Sequence, residues 1–232
     1  MVKQEAYMLP SDPKDRHPIG NGVASDAPQL SALDYSVKGR NFLITGATMG
    51  LGHGITESLI RAGAAKVMIT GRRADIGADA AQRLQRMSKE TAIMFERADS
   101  ASPEDCEKLA KAATEKLGEI HGLVNCAAST ERNDMFSTTV DFWDQLMASN
   151  VRGPFMMTQA VSRHMREKNI HGSIVNISST VASYGGTPKT STYSISKAAL
   201  NGMTKIHAYE LMRHRIRYGR LRMGDHEPLA GR

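Results

Sequence analysis

The chain is poor in cysteine: Cys106 and Cys126 are the two it has, and they share no CxxC or metal-type spacing. That excludes a disulfide-stapled scaffold and a zinc-ribbon chemistry, and it points to two reduced thiols in a cytoplasmic protein. The eight histidines form no HExxH and no paired-ligand spacing, so no metal centre is expected. Long apolar runs are missing too. No window approaches the roughly 18 consecutive apolar residues of a membrane span, and no membrane association is expected. The segment from Met1 to Leu33 lacks the apolar stretch of a secretory signal and is not arginine-rich as a transit peptide would be.

What is present is ordinary for a globular protein: 41% apolar and 23% charged residues in a chain of 232. That length suits one α/β domain with a sizeable core. The net charge of +6 is uneven. From Arg213 to Arg232, six arginines face Asp225 and Glu227, a net +4, whereas Met1 to Ser36 holds three basic and five acidic residues, a net −2. A basic end can attract nucleic acid. Here it has no interleaved aromatics and no nucleic-acid motif, so a solvated tail over 218–232 and no nucleic-acid partner are expected.

Residues 1–36 carry Pro10, Pro13, Pro18 and Pro28 and no sustained period, which reads as an extended arm. From Lys38 the pattern alternates. Apolar runs at 41–45, 66–70, 92–96, 122–125 and 173–177 read as strands. Amphipathic stretches at 51–62, 74–87, 102–117, 139–167 and 191–212 read as helices, the fourth kinked at Gly153-Pro154. Ser102-Pro103-Glu104-Asp105 is a helix start: a cap, a proline at the first helical position, then acids at the positive dipole end. Strands separated by single helices imply right-handed crossovers and a doubly wound parallel sheet.

Two stretches carry chemistry. Phe42-Leu43-Ile44 runs into Thr45-Gly46-Ala47-Thr48-Met49-Gly50-Leu51-Gly52, which opens a helix. A strand that turns tightly into a helix can set backbone N–H groups and the positive helix end beside a pyrophosphate. Gly46, Gly50 and Gly52 permit the tight turn and close approach, although a glycine-rich turn without a ligand has the same local signature. The second strand ends in Gly71-Arg72-Arg73 rather than an acid. A guanidinium there can pair bidentately with a ribose 2′-phosphate, which favours NADP over NAD. The other stretch is Tyr193-Ser194-Ile195-Ser196-Lys197, preceded by Ser178-Ser179. Tyr193 and Lys197, four apart on a helix, share a face. An ammonium beside a phenol favours phenolate and so suits it to proton exchange near neutral pH.

Together, in this order, the two stretches resemble the short-chain dehydrogenase/reductase family from about Lys38 to about Arg217. The resemblance implies an α/β, Rossmann-like catalytic domain over 37–217 that binds a nicotinamide dinucleotide. It implies cofactor contacts from Gly46, Thr48, Gly50, Leu51 and Gly52, and Arg72 as the NADP determinant. The position before the second loop glycine, basic in many NADP members, is Met49. Asp99 falls where the family's acid meets the adenine. Asn125-Cys126-Ala127-Ala128 resembles the family's Asn-Ala-Ala-Gly segment and makes Asn125 a cofactor-site residue. The implied catalytic set is Asn150, Ser179, Tyr193 and Lys197. Asn150 would support a water-linked relay to the lysine, Ser179 (with Ser178 as the alternative) would steady the substrate oxygen, and Lys197 would also hold the nicotinamide ribose.

After Ile216-Arg217 the family continues into a Pro-Gly turn, a substrate-covering segment and a seventh strand, none of which matches Tyr218 onward. The expectation is a C-terminally truncated member with at most a short sixth strand over 216–221, no final strand and no substrate lid. Two functions follow. One is an NADP-dependent oxidoreductase acting on a ketone or secondary alcohol, as a homo-oligomer. The other is a cofactor-binding member with little turnover that acts through subunit association.

Overall fold

The computed structural model describes residues 36–184 and 188–223. All but the last residue of the arm expected over 1–36, and residues 224–232 of the expected tail, lie outside the described residues. Six strands, β1 (Asn41–Thr45), β2 (Lys66–Gly71), β3 (Ala92–Arg97), β4 (Gly122–Asn125), β5 (Ser173–Ser179) and β6 (Arg217–Met223), form one sheet in the order β3-β2-β1-β4-β5-β6. Every pairing is parallel. The helices are α1 (Gly50–Arg61), α2 (Ala74–Gln85), α3 (Pro103–Leu117), α4 (Val140–Met147), α5 (Gly153–Glu167), α6 (Val181–Tyr184) and α7 (Ser191–Met212).

Alternation along the central strands builds two cores. Leu43, Met68, Leu123 and Ile174 point to one face and pack with Leu109, Val161 and Met165 of α3 and α5. Ile44, Val67 and Ile69, their sequence neighbours, point to the other and meet Ile60 of α1 and Ala80 and Leu84 of α2. Each fully buried Leu, Ile or Met contributes about 1.5–3 kcal/mol, so burial outweighs the weaker local propensities in holding the helices. The second face is thinner over β4–β6. Val124 and Val175 are half-buried there, and Leu221 is 46% exposed.

Because β1 lies between β2 and β4, the chain leaves the ends of β1 and β4 toward opposite faces of the sheet. Their C-terminal ends, in register at Thr45 and Asn125, therefore open a crevice, the usual ligand position in such sheets.

Helix α3 starts as its sequence dictates: the Ser102 hydroxyl accepts a bond from Asp105 N at 3.2 Å, with proline in the first turn. The long helix read over 139–167 is divided. Between α4 and α5, residues Ala148–Arg152 form a π-helical turn in which Gly153 N pairs with Ala148 O. Proline explains it. Pro154 has no N–H for the carbonyl of Asn150, four residues back, and its ring would collide with that carbonyl in an α-helix. The irregularity expected at Gly153-Pro154 thus lies in the turn before it.

The C-terminal boundary needs a correction. Residues 218–223 are strand, paired with β5 from Ser173↔Arg217 to Ser179↔Met223, rather than the start of a tail. Arginines at 217, 220 and 222 give the segment the composition of a solvated end. Main-chain pairing along seven residues and the burial of Tyr218 outweigh that composition.

Candidate active site

The crevice is a cleft of about 980 Å³, at the upper end of the range for small-molecule and cofactor sites. Its floor is clamped by one side chain. Thr45 Oγ1 accepts bonds from Cys126 N at 3.1 Å and Ala127 N at 3.2 Å, tying the end of β1 to the segment after β4. The turn out of β1 requires glycine. Gly46 has φ +66°, and a Cβ there would stand 2.6 Å from Ala127 Cα; at Gly52 a Cβ would stand 2.5 Å from Gly46 O. The loop is thereby drawn tightly against both its own helix and β4. Gly46, Thr48 and Met49 line the cleft, while Gly50, Leu51 and Gly52 form the first turn of α1. That turn has no side-chain cap and no acidic residue, so its positive end is not neutralised locally.

Arg72, Arg73 and Arg97 line the far wall with Asp99. Their surroundings differ. Arg97 is paired with Asp105 at 2.8 Å, and the Arg73 guanidinium lies 3.7 Å from Met49 Sδ. Arg72 makes no ion pair among the described residues. Asp99 Oδ1 accepts Ala101 N at 2.9 Å, which fixes its carboxylate at the rim.

Asn125 is not brought to the cleft. Its side chain turns behind the sheet, where Nδ2 donates to Asn176 Oδ1 at 2.9 Å and Thr158 Oγ1 at 3.1 Å. The next residue, Cys126, lines the cleft instead. Burial pushes its thiol up, while Lys197 and the backbone of Gly52 pull it down. It therefore lies between the glycine loop and the lysine and links the cleft to the second constellation.

That constellation is built from β5, the π-helical turn and α7. Lys197 is 4% exposed, and its Nζ donates to Ile177 O at 2.8 Å, which leads the ammonium under the end of β5. Burial lowers its pKa from 10.5 to about 8. The same Nζ lies 5.7 Å from the centroid of the Tyr193 ring, as their spacing on one helix face predicts. Of the two serines, Ser178 is committed: it is buried and donates to Asn201 Oδ1 at 2.8 Å. Ser179 ends β5, and its Oγ accepts Val181 N at 3.3 Å. These residues do not line the cleft; Cys126, which does, feels the charge of Lys197.

Asn150 is 1% exposed and works as a brace. Its Oδ1 accepts Ser129 N at 2.8 Å, and its Nδ2 donates to Ser129 O at 2.9 Å and to Ser196 Oγ at 3.1 Å. Ser196 Oγ in turn donates to Tyr193 O at 2.7 Å. Asn150 thus ties the segment after β4 to the helical turn carrying Tyr193 and Lys197. Sequence reasoning gave no role to Ser129, Ser196 or Cys126. Ser196 sits inside the quoted motif, but its partner is 46 residues away and no local pattern announces it.

The family model for short chain dehydrogenases matches residues 40–225. An NADP-dependent (R)-specific alcohol dehydrogenase of Lentilactobacillus kefiri is 32% identical over 174 residues, covering 75% of this chain and 67% of that one. A crystal structure of a gluconate 5-dehydrogenase of Burkholderia cenocepacia with NADP and tartrate is similar with a TM-score of 0.75 at 30% identity, over 82% of this chain and 72% of that one. An NADH-dependent reductase complexed with NAD superimposes with a TM-score of 0.75 at 27% identity, over 82% of this chain and 80% of that one. The chain belongs to the short-chain dehydrogenase/reductase family, and it is an oxidoreductase of that family.

Proposed function

We propose that the protein is an NADP-dependent oxidoreductase interconverting a ketone and a secondary alcohol, with Tyr193 as the proton-exchanging group. The observation that carries this reading is the buried Lys197 ammonium beside the Tyr193 ring. The cleft suits a dinucleotide in volume and in its donors: an uncapped helix start and an arginine wall. The glycine loop and α1 would hold the pyrophosphate, Asp99 the adenine end, and Arg72 a 2′-phosphate. Bound there, the nicotinamide would supply hydride transfer.

The chain's own groups have separable tasks. Tyr193 exchanges the proton of the substrate oxygen. Lys197 stabilises its phenolate through charge and would hold the cofactor ribose. Ser179 donates a hydrogen bond to the same oxygen and stabilises the charge developing on it, a role open to it because Ser178 is engaged elsewhere. Asn150 fixes the turn on which Tyr193 and Lys197 ride. Two unbridged thiols suit a reducing, cytoplasmic compartment. Among the described residues no helix is long and apolar enough to cross a membrane.

A second reading, cofactor binding with little turnover and action through subunit association, is favoured by one feature. Among the described residues β6 is an edge strand, paired with β5 up to Ser179↔Met223, with Leu221 46% and Met223 40% exposed. An edge of that kind invites pairing with another chain. The deciding experiment purifies this chain, titrates NADPH, and then screens carbonyl compounds for NADPH oxidation. Saturable NADPH binding with substrate-dependent oxidation supports the enzyme. Binding without oxidation across the screen supports the second reading, and the absence of NADPH binding rejects both.

A further inference from the structure

The opposite end of the sheet from the cleft carries a second cavity, of about 230 Å³, whose chemistry is unlike the first. It lies where the chain enters β5 and β6. Since those strands are neighbours, the turns that precede them run side by side, joined by Arg217 N donating to Gly172 O at 3.0 Å. The polar walls come from Arg166, Asn169, His171, Arg213, His214 and Arg215, and the floor is the fully buried Met165. Gly172, next to His171, packs against that floor: a Cβ there would stand 2.4 Å from Met165 Cε.

The lining holds no carboxylate. Glu167 and Glu210, the acids on the adjoining helical turns, make no ion pair with these arginines among the described residues. Among the described residues the side chain of Arg213 makes one hydrogen bond, Nε donating to His214 Nε2 at 3.3 Å, and Arg166 and Arg215 make no side-chain hydrogen bond. Cations at helix C-termini are expected from the dipole, since α5 and α7 both end here. Magnitudes show that this is not the whole account. Two helix ends supply about −0.5 charge each, against three guanidinium groups. The lining itself therefore keeps an excess of about two positive charges, offset only by the unpaired acids of the adjoining turns, with donors but few acceptors.

We propose that this cavity is a binding site for a small phosphate-bearing anion, independent of the nucleotide cleft. Guanidinium forks match the paired oxygens of phosphate. The volume admits one or two phosphoryl groups, at roughly 30 Å³ per displaced water.

The test is calorimetric titration of the full chain with inorganic pyrophosphate under saturating NADPH, which occupies the other anion-binding region. One site per chain should remain. Arg213→Ala/Arg215→Ala should weaken it at least about tenfold while NADPH affinity stays unchanged. Arg213→Lys/Arg215→Lys, which keeps the charge and the fold, should weaken it several-fold because the fork is lost. The pair Arg86→Ala/Lys89→Ala, removing equal charge elsewhere on the surface, should have no effect. Loss of pyrophosphate binding on adding NADPH, an equal loss in the surface pair, or citrate binding as tightly as pyrophosphate would each overturn the assignment.

Discussion

Lys197 offers a test in which stability and function oppose each other. Its ammonium is buried, and burial lowers its pKa from 10.5 to about 8. The unfolded chain, with the ordinary lysine value, thus holds more protons than the native state between those two pH values. Stability contributed by this group is therefore present above about pH 10.5 and is lost as pH falls through about 8. Below pH 8 the folded protein bears the full cost of an ionised buried amine. At ~1.4 kcal/mol per pH unit, the interval amounts to about 3 kcal/mol. Lys197→Met keeps the apolar stem and removes the charge. It forfeits the bond to Ile177 O, and an unpaired carbonyl costs about 1–3 kcal/mol. Near pH 7 the two effects oppose, so the variant should be as stable as the natural protein or slightly more so. The pH dependence is the sharper readout. Urea unfolding at pH 7.5, 9 and 10.5 should show the natural protein gaining about 3 kcal/mol relative to the variant across that range. Other titrating groups cancel in the difference. The same variant should lose turnover, because the charge that supports the Tyr193 phenolate is gone. Parallel stability curves for the two proteins would show that Lys197 is not desolvated in the folded state, and the proposed basis of Tyr193 activation would fall with it.

Other substitutions separate the remaining roles. Tyr193→Phe should lower turnover by about 10²–10⁴-fold and leave the NADPH dissociation constant within about twofold, measured by steady-state kinetics and Trp143 fluorescence; normal turnover would exclude the tyrosine as the proton donor. Arg72→Ala should weaken NADPH by roughly tenfold or more, the worth of a charge-assisted bond, and leave NADH nearly unchanged. Equal losses for both cofactors would remove the 2′-phosphate assignment. Tyr218→Phe should cost only about 1 kcal/mol in urea unfolding, because Asn176 keeps Thr204 and Thr158 keeps Asn125 as partners; a loss several times larger would mean that the phenol is the central member of that cluster.

What could be read from sequence was whatever lies close together along the chain. The glycine turn after β1, the proline-capped start of α3 and the Tyr193–Lys197 face are all signals spanning a few residues, and each is found where its spacing put it. Side-chain direction was not legible. Nothing near Asn125 tells whether it faces the cleft or the interior, since its partners Thr158 and Asn176 lie 33 and 51 residues away. The brace from Asn150 to Ser129 and Ser196 was hidden for the same reason. The π-helical turn was partly legible: proline signals a disturbed helix, but whether the chain bends or widens depends on what the freed carbonyls meet in three dimensions.

The misplacement of Asn125 and the misplaced boundary at residue 217 have a common physical origin. Tyr218 reaches from the edge strand into the space between the sheet and helices α5 and α7. Its hydroxyl accepts from Asn176 Nδ2 at 2.8 Å and lies 3.2 Å from Thr158 Oγ1. Asn176 also receives the amide of Asn125, so β4, β5 and β6 are joined under the ends that carry Cys126 and Ser179. Buried polar groups are costly unless paired. Withdrawing Tyr218 into a solvated tail would take one partner from this cluster and open it to water. The segment is therefore held as strand despite its arginines, and Asn125 is held inward despite its place beside the cleft. The cluster draws in Tyr218 and the Asn125 amide nitrogen, although Asn125 Oδ1 finds no partner among the described residues, and Cys126, the residue just beyond it, lines the cleft.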